Sequence, residues 1–326
     1  MKKIRFSYKK VAIFIAFQLF FMLLTSPLII FFGPYTNIKK TIISTVLATR
    51  HKYLVTNIMS QETIDDILGP SVAASNIGQD ISQVHITHKN SNKITRYDLH
   101  TSMFDGYLLE IEDPTKIKVA LTKHLGAKGQ KTSEMAKERN AIAAINGGSF
   151  VDKSSSGKQY AGTGATPGGF VIADGEVVFK DSDEDRKENV LAFTKEGNLV
   201  VGDHSINDLK ALNVTEAMCF RPPTLIINGK RQISTKSEDG LNPRTAIGQK
   251  KDGTVLFLVI DGRKSLTKLG ASLYDVQEIL LKYGAINAGN LDGGYSSSMY
   301  YDGELINSPN EWDGERTVAT AFYVEQ

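Results

Sequence analysis

The sequence has little cysteine and little histidine, and each shortage excludes a class of protein. Cys219 is the single cysteine, so a scaffold held together by disulfides within the chain is excluded. It lies between Met218 and Phe220, where we expect a buried apolar thiol and not a nucleophile. The sequence has only six histidines, none of them near the motifs described below, which disfavours a histidine-based triad or a zinc site. We expect neither a metal ion nor a cofactor.

The sequence also lacks a large excess of charge of one sign. The formal net charge is +2, which gives no indication of nucleic-acid binding. Five basic residues fall within the first ten positions, and the remaining sequence without them has a net charge of −3. The basic character therefore belongs to the N-terminus, and we expect no nucleic-acid partner.

Common nucleotide-binding and hydrolase signatures are missing as well. The glycine-rich segment Gly-Thr-Gly-Ala-Thr-Pro-Gly-Gly lacks the Lys-Ser/Thr ending of a phosphate-binding loop. No serine lies in a Gly-x-Ser-x-Gly turn, and no His-Glu-x-x-His helix is present. Any chemistry must therefore come from a less common arrangement of residues.

One long apolar run is present near the N-terminus. No charged residue occurs from Val11 to Phe32, and a helix of that length rises about 33 Å, enough for a hydrocarbon core of about 30 Å. The run exceeds the apolar part of a signal peptide and no small-x-small cleavage site follows, which favours an uncleaved anchor over a cleaved signal. More basic residues precede the run than follow it closely, so the N-terminus should stay inside. We predict a single-pass cell-membrane protein whose C-terminal domain is extracytoplasmic.

The sequence divides into four parts on this basis. We predict a cytoplasmic basic tail at 1–10, a transmembrane signal anchor at 11–32, a stalk or linker at 33–90 and one folded domain at 91–326. Four Asn-Gly or Asp-Gly pairs between apolar runs, at 174–175, 228–229, 252–253 and 302–303, predict antiparallel hairpins. Helices are predicted at 132–139 and 273–283, the second with Ser272 as N-cap and Gly284 as its stop. The fold class is α+β: a strand-rich, mostly antiparallel or mixed sheet with packed helices, preceded by the N-terminal transmembrane helix.

Three apolar strands end in polar and small residues, which is where binding sites are usually built. The first ends at Asn146, the second at Asp261 and the third at Asn290 and Asp292. Asp-Gly pairs are often only turns, but no partner strand follows Asp261 or Asp292, which favours a functional role for both. Two arginines add to this pattern, Arg244 at the start of a strand and Arg316 before the terminal strand. The planar fork of arginine suits phosphate recognition, although a surface ion pair is the ordinary role of an isolated arginine.

The motifs INGGSF, NPRTAIG, VIDGRKS, LDGGYSSS and ERTVATAFYV, in this order and spacing, resemble the phosphodiester glycosidase domain family over residues 105–326. The resemblance implies hydrolysis of a sugar phosphodiester at its glycosidic C–O bond in a surface cavity. The positions implied for that cavity are Asn146, Gly147, Arg244, Asp261, Arg263, Asp292, Gly293, Gly294, Ser296 or Ser297, Glu315 and Arg316. Two residues depart from the family pattern: Ser149 stands where an aromatic residue is common, and Tyr295 interrupts a run that is often all small.

The leaving group of such a reaction is a phosphate monoester, whose second pKa of about 6 makes it stable as an anion. The site therefore needs cations that hold phosphate and one carboxylate that acts as nucleophile or base. Asp292 is the first candidate for this carboxylate and Asp261 the second, and the resemblance adds Glu315.

Two other functions fit the same residues. One is a non-catalytic module that binds anionic cell-wall glycans. The other is a metal-dependent phosphodiesterase that cleaves the P–O bond, with Asp261 and Asp292 as metal ligands. The expected partner is a sugar phosphodiester or anionic glycan related to the cell envelope or to exopolysaccharide, and the membrane is contacted through residues 11–32.

Overall fold

The computed structural model describes most of the residues from position 78 onward and parts of the sequence before it. The described residues are 8–34, 39, 42–43, 46, 53–68, 78–153, 159–160, 163–234, 240–265, 267–309 and 314–326. Much of the predicted stalk, including 69–77, therefore lies outside the described residues.

The apolar N-terminal run forms the first helix, α1 (Tyr8–Phe32), with Pro27 inside it. Its segment Tyr8–Ile29 has a mean hydropathy of 2.2 and is long and apolar enough to cross a membrane. Its large apolar side chains, such as Phe14 and Leu23, are exposed. A signal sequence would have the same length and composition, so the helix is compatible with an anchor or a signal.

Five further helices have their bounds within the described residues. They are α2 (Tyr53–Thr56), α3 (Gln61–Leu68), α4 (Thr132–Glu138), α5 (Ile206–Ala211) and α6 (Leu273–Lys282). Helices α4 and α6 confirm the two predicted ones, and Ser272 caps α6 by accepting a hydrogen bond from the backbone N–H of Asp275 at 3.1 Å. Helix α5 was not predicted, because its six residues are too few to show a helical period. Ser205 and Asp208 form a capping box that marks its start.

Twenty-one strands among the described residues make up the body of the protein. They are β1 (Ile94–His100), β2 (Asp105–Ile111), β3 (Ile117–Leu121), β4 (Gln130–Lys131), β5 (Ala143–Asn146), β6 (Asp152–Lys153), β7 (Gln159–Tyr160), β8 (Phe170–Ala173), β9 (Glu176–Lys180), β10 (Glu188–Thr194), β11 (Leu199–His204), β12 (Val214–Cys219), β13 (Thr224–Ile227), β14 (Lys230–Arg231), β15 (Arg244–Lys250), β16 (Val255–Ile260), β17 (Ala285–Asn290), β18 (Met299–Tyr301), β19 (Glu304–Leu305), β20 (Thr317–Val318) and β21 (Thr320–Val324).

These strands form three large sheets and two short ribbons. The largest sheet has the order β1-β2-β16-β15-β17-β13-β14, and the two five-stranded sheets have the orders β11-β10-β12-β8-β9 and β19-β18-β5-β21-β3. The ribbons are β20-β4 and β6-β7. Neighbouring strands in the described parts of all three large sheets run antiparallel, which confirms the predicted α+β class.

The three sheets share one central core, and each has a helix on its other face. Strand β16 shows how the sequence produces this arrangement: Phe257 belongs to the central core, while its neighbour Leu258 packs in the layer under α6. Successive side chains of a strand point to opposite faces, so a strand covered on both sides needs a continuous apolar run. Helix α5 covers the sheet of β10 in the same way, and α4 covers the sheet of β5.

All four predicted hairpins are present, joining β8 to β9, β13 to β14, β15 to β16 and β18 to β19. In three of them both central residues have positive φ angles, as in Asp174 and Gly175 with φ of 50° and 82°. This is the conformation of a type I′ turn, which fits the twist of the flanking strands. The β15–β16 hairpin differs, because its loop has four residues and only Gly253 has a positive φ, at 94°.

The segment 78–90, which we call the strap, packs against the body before β1 begins. The side-chain amide of Gln79 donates to Leu199 O at 2.6 Å and accepts from Val201 N at 2.8 Å. The backbone N–H of His85 donates to Lys251 O at 2.8 Å, in the turn between β15 and β16. The strap thus connects the seven-stranded sheet with the sheet of β11 at the end where that turn lies.

Candidate active site

The three strand ends singled out in the sequence converge at one end of the body. Strand β15 begins at Arg244, which lies opposite Ile260 at the end of β16, and Ala246 of β15 lies opposite Asn290 at the end of β17. From another sheet, β5 ends at Asn146, and the backbone N–H of Asp292 donates to Gly147 O at 3.1 Å. The loops that follow these strands therefore face one another.

Asn146 is the residue that connects these loops. Its side chain is fully buried and its Nδ2 donates to the backbone oxygen of Asp292 at 2.6 Å. Its Oδ1 accepts from Thr245 Oγ1 at 2.7 Å and from Ser298 N at 3.1 Å. A carboxamide has both donors and an acceptor, so this one side chain joins strands from two sheets to the Asp292 loop. The backbone of Asp292 is held on both its N–H and its C=O side.

The Asp292 carboxyl group is half-buried, and its surroundings shift its pKa in opposite directions. Burial raises its pKa above the ordinary 3.8, because the charged form is poorly solvated there. The Ser296 hydroxyl and the positive charges of Arg221 and Arg316 act in the opposite direction. Asp292 is thus a carboxylate with reduced solvation next to cations, an environment typical of reactive acids and bases.

Two arginines lie beside the glycines that follow Asp292. A Cβ added to Gly293 would lie 2.8 Å from Pro243 O and 3.8 Å from Arg244 Cδ, so glycine is required for the loop to approach β15 this closely. Arg244 Nε donates to Ala271 O at 3.0 Å, and its Nη2 donates to Gly240 O at 2.9 Å. These bonds fix the direction of the Arg244 side chain.

Arg263 lies beside Gly294 of the same loop, with Nη1 3.7 Å from the position of a Cβ on that glycine. Its Nη2 donates to Asn242 Oδ1 at 2.6 Å, and its guanidinium stacks on the Tyr295 ring at 5.0 Å from the ring centroid. Its Nε and Nη1 are buried and have no hydrogen-bond partner among the described residues. Burial lowers the pKa of Arg263, and Tyr295 acts in the opposite direction. Arginine nevertheless stays protonated at neutral pH, so an incompletely paired cation faces the Asp292 loop.

Asp261 is almost fully buried, and both of its carboxylate oxygens already accept hydrogen bonds. Oδ1 accepts from Asn307 Nδ2 at 2.8 Å. Oδ2 accepts from Ser308 N at 3.0 Å and from Lys264 Nζ at 2.7 Å. Asn307 Nδ2 also donates to Ser297 O at 3.0 Å, so the network extends from Asp261 to the loop after Asp292.

Glu315 is buried at the start of α4. It accepts hydrogen bonds from the backbone N–H of Ser133, at 2.9 Å, and from the Ser133 hydroxyl. A carboxylate at this position satisfies a free N–H of the first helical turn. Its neighbour Arg316 stacks on Phe150, with 4.9 Å from Cζ to the ring centroid, and lies close enough to Asp292 to influence its charge.

The small residues of the predicted set have separate roles. A Cβ on Gly147 would lie 2.7 Å from Met218 Sδ, so this glycine allows β5 to pack against β12. Gly294 has a φ of 63°, a conformation that favours glycine. Ser296 and Ser297 are buried; the Ser296 hydroxyl contacts the Asp292 carboxyl group, and Ser297 Oγ has no hydrogen-bond partner among the described residues.

The structure adds one cation that sequence reasoning missed. Arg221 follows the end of β12 and lies within electrostatic range of Asp292, although the two are 71 positions apart in the sequence. A basic residue two positions after a buried strand was the signal available, similar to Arg263 three positions after β16. Cys219, two positions earlier, is buried and its pKa is raised to about 12 by burial, which agrees with the expected unreactive thiol.

Comparison with known sequences decides the family. The sequence profile of the phosphodiester glycosidase family matches residues 139–325, more than half of the chain. The chain belongs to the phosphodiester glycosidase family. The matched region contains all of the predicted site residues.

Two curated relatives match shorter stretches. The SPbeta prophage-derived uncharacterized protein YomE of Bacillus subtilis is 44% identical over 84 residues, which cover 26% of this chain and 13% of the relative. The N-acetylglucosamine-1-phosphodiester alpha-N-acetylglucosaminidase of Bos taurus is 34% identical over 92 residues, which cover 26% of this chain and 17% of the relative. The match thus spans less than a fifth of each of these relatives.

Two solved structures share the fold over a larger part of the chain. The zebrafish N-acetylglucosamine-1-phosphodiester alpha-N-acetylglucosaminidase catalytic domain, auto-inhibited by its pro-peptide, has a TM-score of 0.60 and 21% identity, covering 80% of this chain and 98% of that one. A putative exported protein of Burkholderia pseudomallei has a TM-score of 0.53 and 17% identity, covering 68% of this chain and 74% of that one. These similarities show that the phosphodiester glycosidase domain here has the expected fold.

Proposed function

We propose that this protein hydrolyses the glycosidic bond of a sugar-1-phosphodiester, with Asp292 as the reacting carboxylate. The observation that carries the proposal is the Asp292 site itself: a half-buried carboxyl group whose backbone is fixed by Asn146 and Gly147, with cationic side chains around it. Membership of the phosphodiester glycosidase family supports the same reaction.

Because the leaving group is a phosphate monoester, the glycosidic C–O bond can be cleaved without a general acid that protonates the departing oxygen. The bond between the anomeric carbon and the phosphate oxygen breaks, and the phosphate monoester departs with the electron pair as a stable anion. Arg221, Arg316 and Arg263 stabilise the charge on the phosphate. Asp292 either attacks the anomeric carbon, giving a glycosyl ester that water then hydrolyses, or removes a proton from the attacking water. A second carboxylic acid is not needed to protonate the leaving group, unlike in ordinary glycosidases.

We assign Asp261 and Glu315 a positioning role. The oxygens of Asp261 accept from Asn307, Ser308 and Lys264, and the carboxylate of Glu315 binds Ser133. A metal-dependent phosphodiesterase with Asp261 as ligand would have to displace the Lys264 ammonium group, so the donor set favours the glycosidase.

The substrate and the location are part of the same proposal. The bovine and zebrafish relatives are named for an N-acetylglucosamine-1-phosphodiester, which makes that diester the first compound to test. We further propose that α1 anchors the protein in a cell membrane and that the domain acts outside the cytoplasm on a cell-envelope or exopolysaccharide component.

The decisive experiment uses the full-length protein in detergent with an N-acetylglucosamine-1-phospho-sugar diester in water enriched in oxygen-18. Release of free sugar carrying the label, unaffected by EDTA, supports the glycosidase, because the C–O bond was cut. Label in the phosphate, or loss of activity with EDTA, would support the metal-dependent phosphodiesterase instead. Binding without release over a panel of diesters would support a glycan-binding module.

The acid side of the pH profile should report the Asp292 carboxyl group. A nucleophile or base must be ionised, so kcat/KM should fall as the pH drops through the Asp292 pKa, at a pH above the ordinary 3.8. Arg221 stabilises the ionised form, so Arg221→Gln should move this midpoint to higher pH. The control is Arg96→Gln, since Arg96 pairs with Asp98 at the surface. An acid midpoint that stays in place or moves to lower pH in Arg221→Gln would contradict this assignment.

The anchor proposal predicts the form of the protein found in membranes. We expect the full-length protein to resist extraction by alkaline carbonate and to have an intact N-terminal segment by mass spectrometry. Replacing Phe17 and Leu23, both exposed along α1, by lysine should release it, since each buried charge costs about 2.5–3.5 kcal/mol at a helix centre. The matched control places the same two lysines at Tyr53 and Leu54, exposed in α2. A mature protein that begins after residue 32 would show a cleaved signal and refute the anchor.

A further inference from the structure

Tyr295 stands out among the residues of the Asp292 loop because it is the one large side chain in an otherwise small-residue run. It lies in the short turn Gly294–Ser296 and is half-buried. Its ring carries the Arg263 guanidinium on one face, at 5.0 Å from the centroid. No step of the proposed reaction uses this ring, so its placement requires another explanation.

Arg263 is held in an unfavourable conformation. Its φ angle is 60°, in the left-handed region that residues other than glycine rarely adopt, at a cost of order 1 kcal/mol or more. Asn242 binds one end of its guanidinium, and the Tyr295 ring supports the plane. These two contacts hold in one conformation a long side chain that would otherwise be mobile.

The fixed guanidinium still has unused donors. Nε and Nη1 are buried and lack partners among the described residues, and a buried donor without an acceptor is costly. Nη1 lies 3.7 Å from the position that a Cβ on Gly294 would occupy. The glycine therefore leaves space in front of Nη1 that any other residue would partly fill.

We propose that Tyr295 is a positioning residue that holds Arg263 so that its free N–H groups bind the phosphate oxygens of the substrate. The inference rests on the proposed phosphodiester site and adds a determinant of affinity to it. A charged guanidinium is the donor that best fits a phosphate oxygen, and a preformed donor binds without a cost of ordering. The Tyr295 ring acts on the substrate only through Arg263. Loss of the ring should therefore weaken substrate binding and leave the chemical step nearly unchanged.

The test compares Tyr295→Ala and Tyr295→Phe in the full-length protein, with two readouts. The first is steady-state kinetics with an N-acetylglucosamine-1-phospho-sugar diester, and the second is calorimetric binding of inorganic phosphate, which needs no turnover. We expect Tyr295→Ala to raise KM and the phosphate Kd about tenfold, with kcat changed less than about threefold. Tyr295→Phe keeps the ring face and removes the hydroxyl contact to Arg263, so its KM and phosphate Kd should lie between those of the wild type and those of Tyr295→Ala.

A second arginine–tyrosine pair provides the matched control. Arg139 lies over the Tyr323 ring at 5.7 Å, on the face of its sheet covered by α4. Tyr323→Ala should leave KM and phosphate binding unchanged when it is assayed under conditions in which the variant is folded. In a double-mutant cycle, Tyr295→Ala should add little in an Arg263→Ala background, since Tyr295 acts on the phosphate only through Arg263.

Two results would overturn the inference: unchanged phosphate binding in Tyr295→Ala, or a fall in kcat at constant KM. Failure of the proposed function is distinguishable from these. A wild-type protein that cleaves no diester but binds phosphate, more weakly in Tyr295→Ala, would remove the reaction and keep the role of Tyr295 in anion binding.

Discussion

Replacement of Asp292 by asparagine is expected to lower kcat by about 10³-fold or more while the protein stays folded. The substitution keeps the shape of the side chain but removes the group that must attack or accept a proton. Folding should not suffer, because the backbone of Asp292 and not its carboxylate makes the bonds to Asn146 and Gly147. Burial raises the pKa of this carboxyl group, so a neutral amide also avoids the cost of a poorly solvated charge. The measurements are kcat with the sugar diester and the urea midpoint of unfolding.

The control for Asp292→Asn is Asp302→Asn. Asp302 is exposed in the β18–β19 turn with a φ of 50°, a conformation that asparagine adopts readily, so this variant should be fully active. An Asp292→Asn protein that is as active as the wild type would remove Asp292 from the chemistry. Loss of activity together with a large loss of stability would show instead that the carboxylate is structural.

Replacement of Asp261 by asparagine should act mainly on stability, lowering the free energy of unfolding by about 2–4 kcal/mol. Both carboxylate oxygens accept from donors: Asn307 Nδ2 on one side, and Ser308 N with Lys264 Nζ on the other. Whichever way the new amide turns, its NH₂ group faces a donor in a site that is 1% exposed. Urea denaturation of the purified protein measures the difference.

Asp98→Asn is the matched control for Asp261→Asn. Asp98 pairs with Arg96 at the surface, where such a pair is worth about 0–1 kcal/mol, so the change in stability should be small. An Asp261→Asn protein with wild-type stability but no turnover would place Asp261 in the chemistry and make our assignment of a positioning role wrong. The pair of variants Asp292→Asn and Asp261→Asn therefore separates the two carboxylates that the sequence alone left open.

Local structure was predictable from the sequence because it depends on neighbouring residues. The helix α6 follows from its apolar spacing between Ser272 and Gly284, and three hairpins follow from their Asn-Gly or Asp-Gly pairs. The four-residue turn at Asp252 has the same dipeptide but a different loop length, which the two residues do not determine. The convergence of three strand ends was predictable only as a possibility, since the order of strands in a sheet depends on distant pairings such as β2 with β16.

Roles within the site were less predictable. Asp261 and Asp292 have the same sequence context, an apolar strand followed by glycine, yet their side chains differ in what surrounds them. The partner Asn307 of Asp261 is 46 positions away, and Arg221 is 71 positions from Asp292. Whether a buried carboxylate is saturated with donors or left reactive depends on such contacts, and no local pattern encodes them.

The strap enters the body at the end opposite the candidate active site. It contacts the turn after Lys250, whereas Asp292 lies near Arg244 at the other end of β15, and a seven-residue strand separates the two by about 20 Å. Under the proposal that α1 holds the protein at a bilayer outside the cytoplasm, the chain from α1 would enter the domain on the side away from the candidate site. Under the same proposal, a long polymer approaching from that side would reach the candidate site without meeting the lipid surface, and polymer length would not limit which molecules are cut.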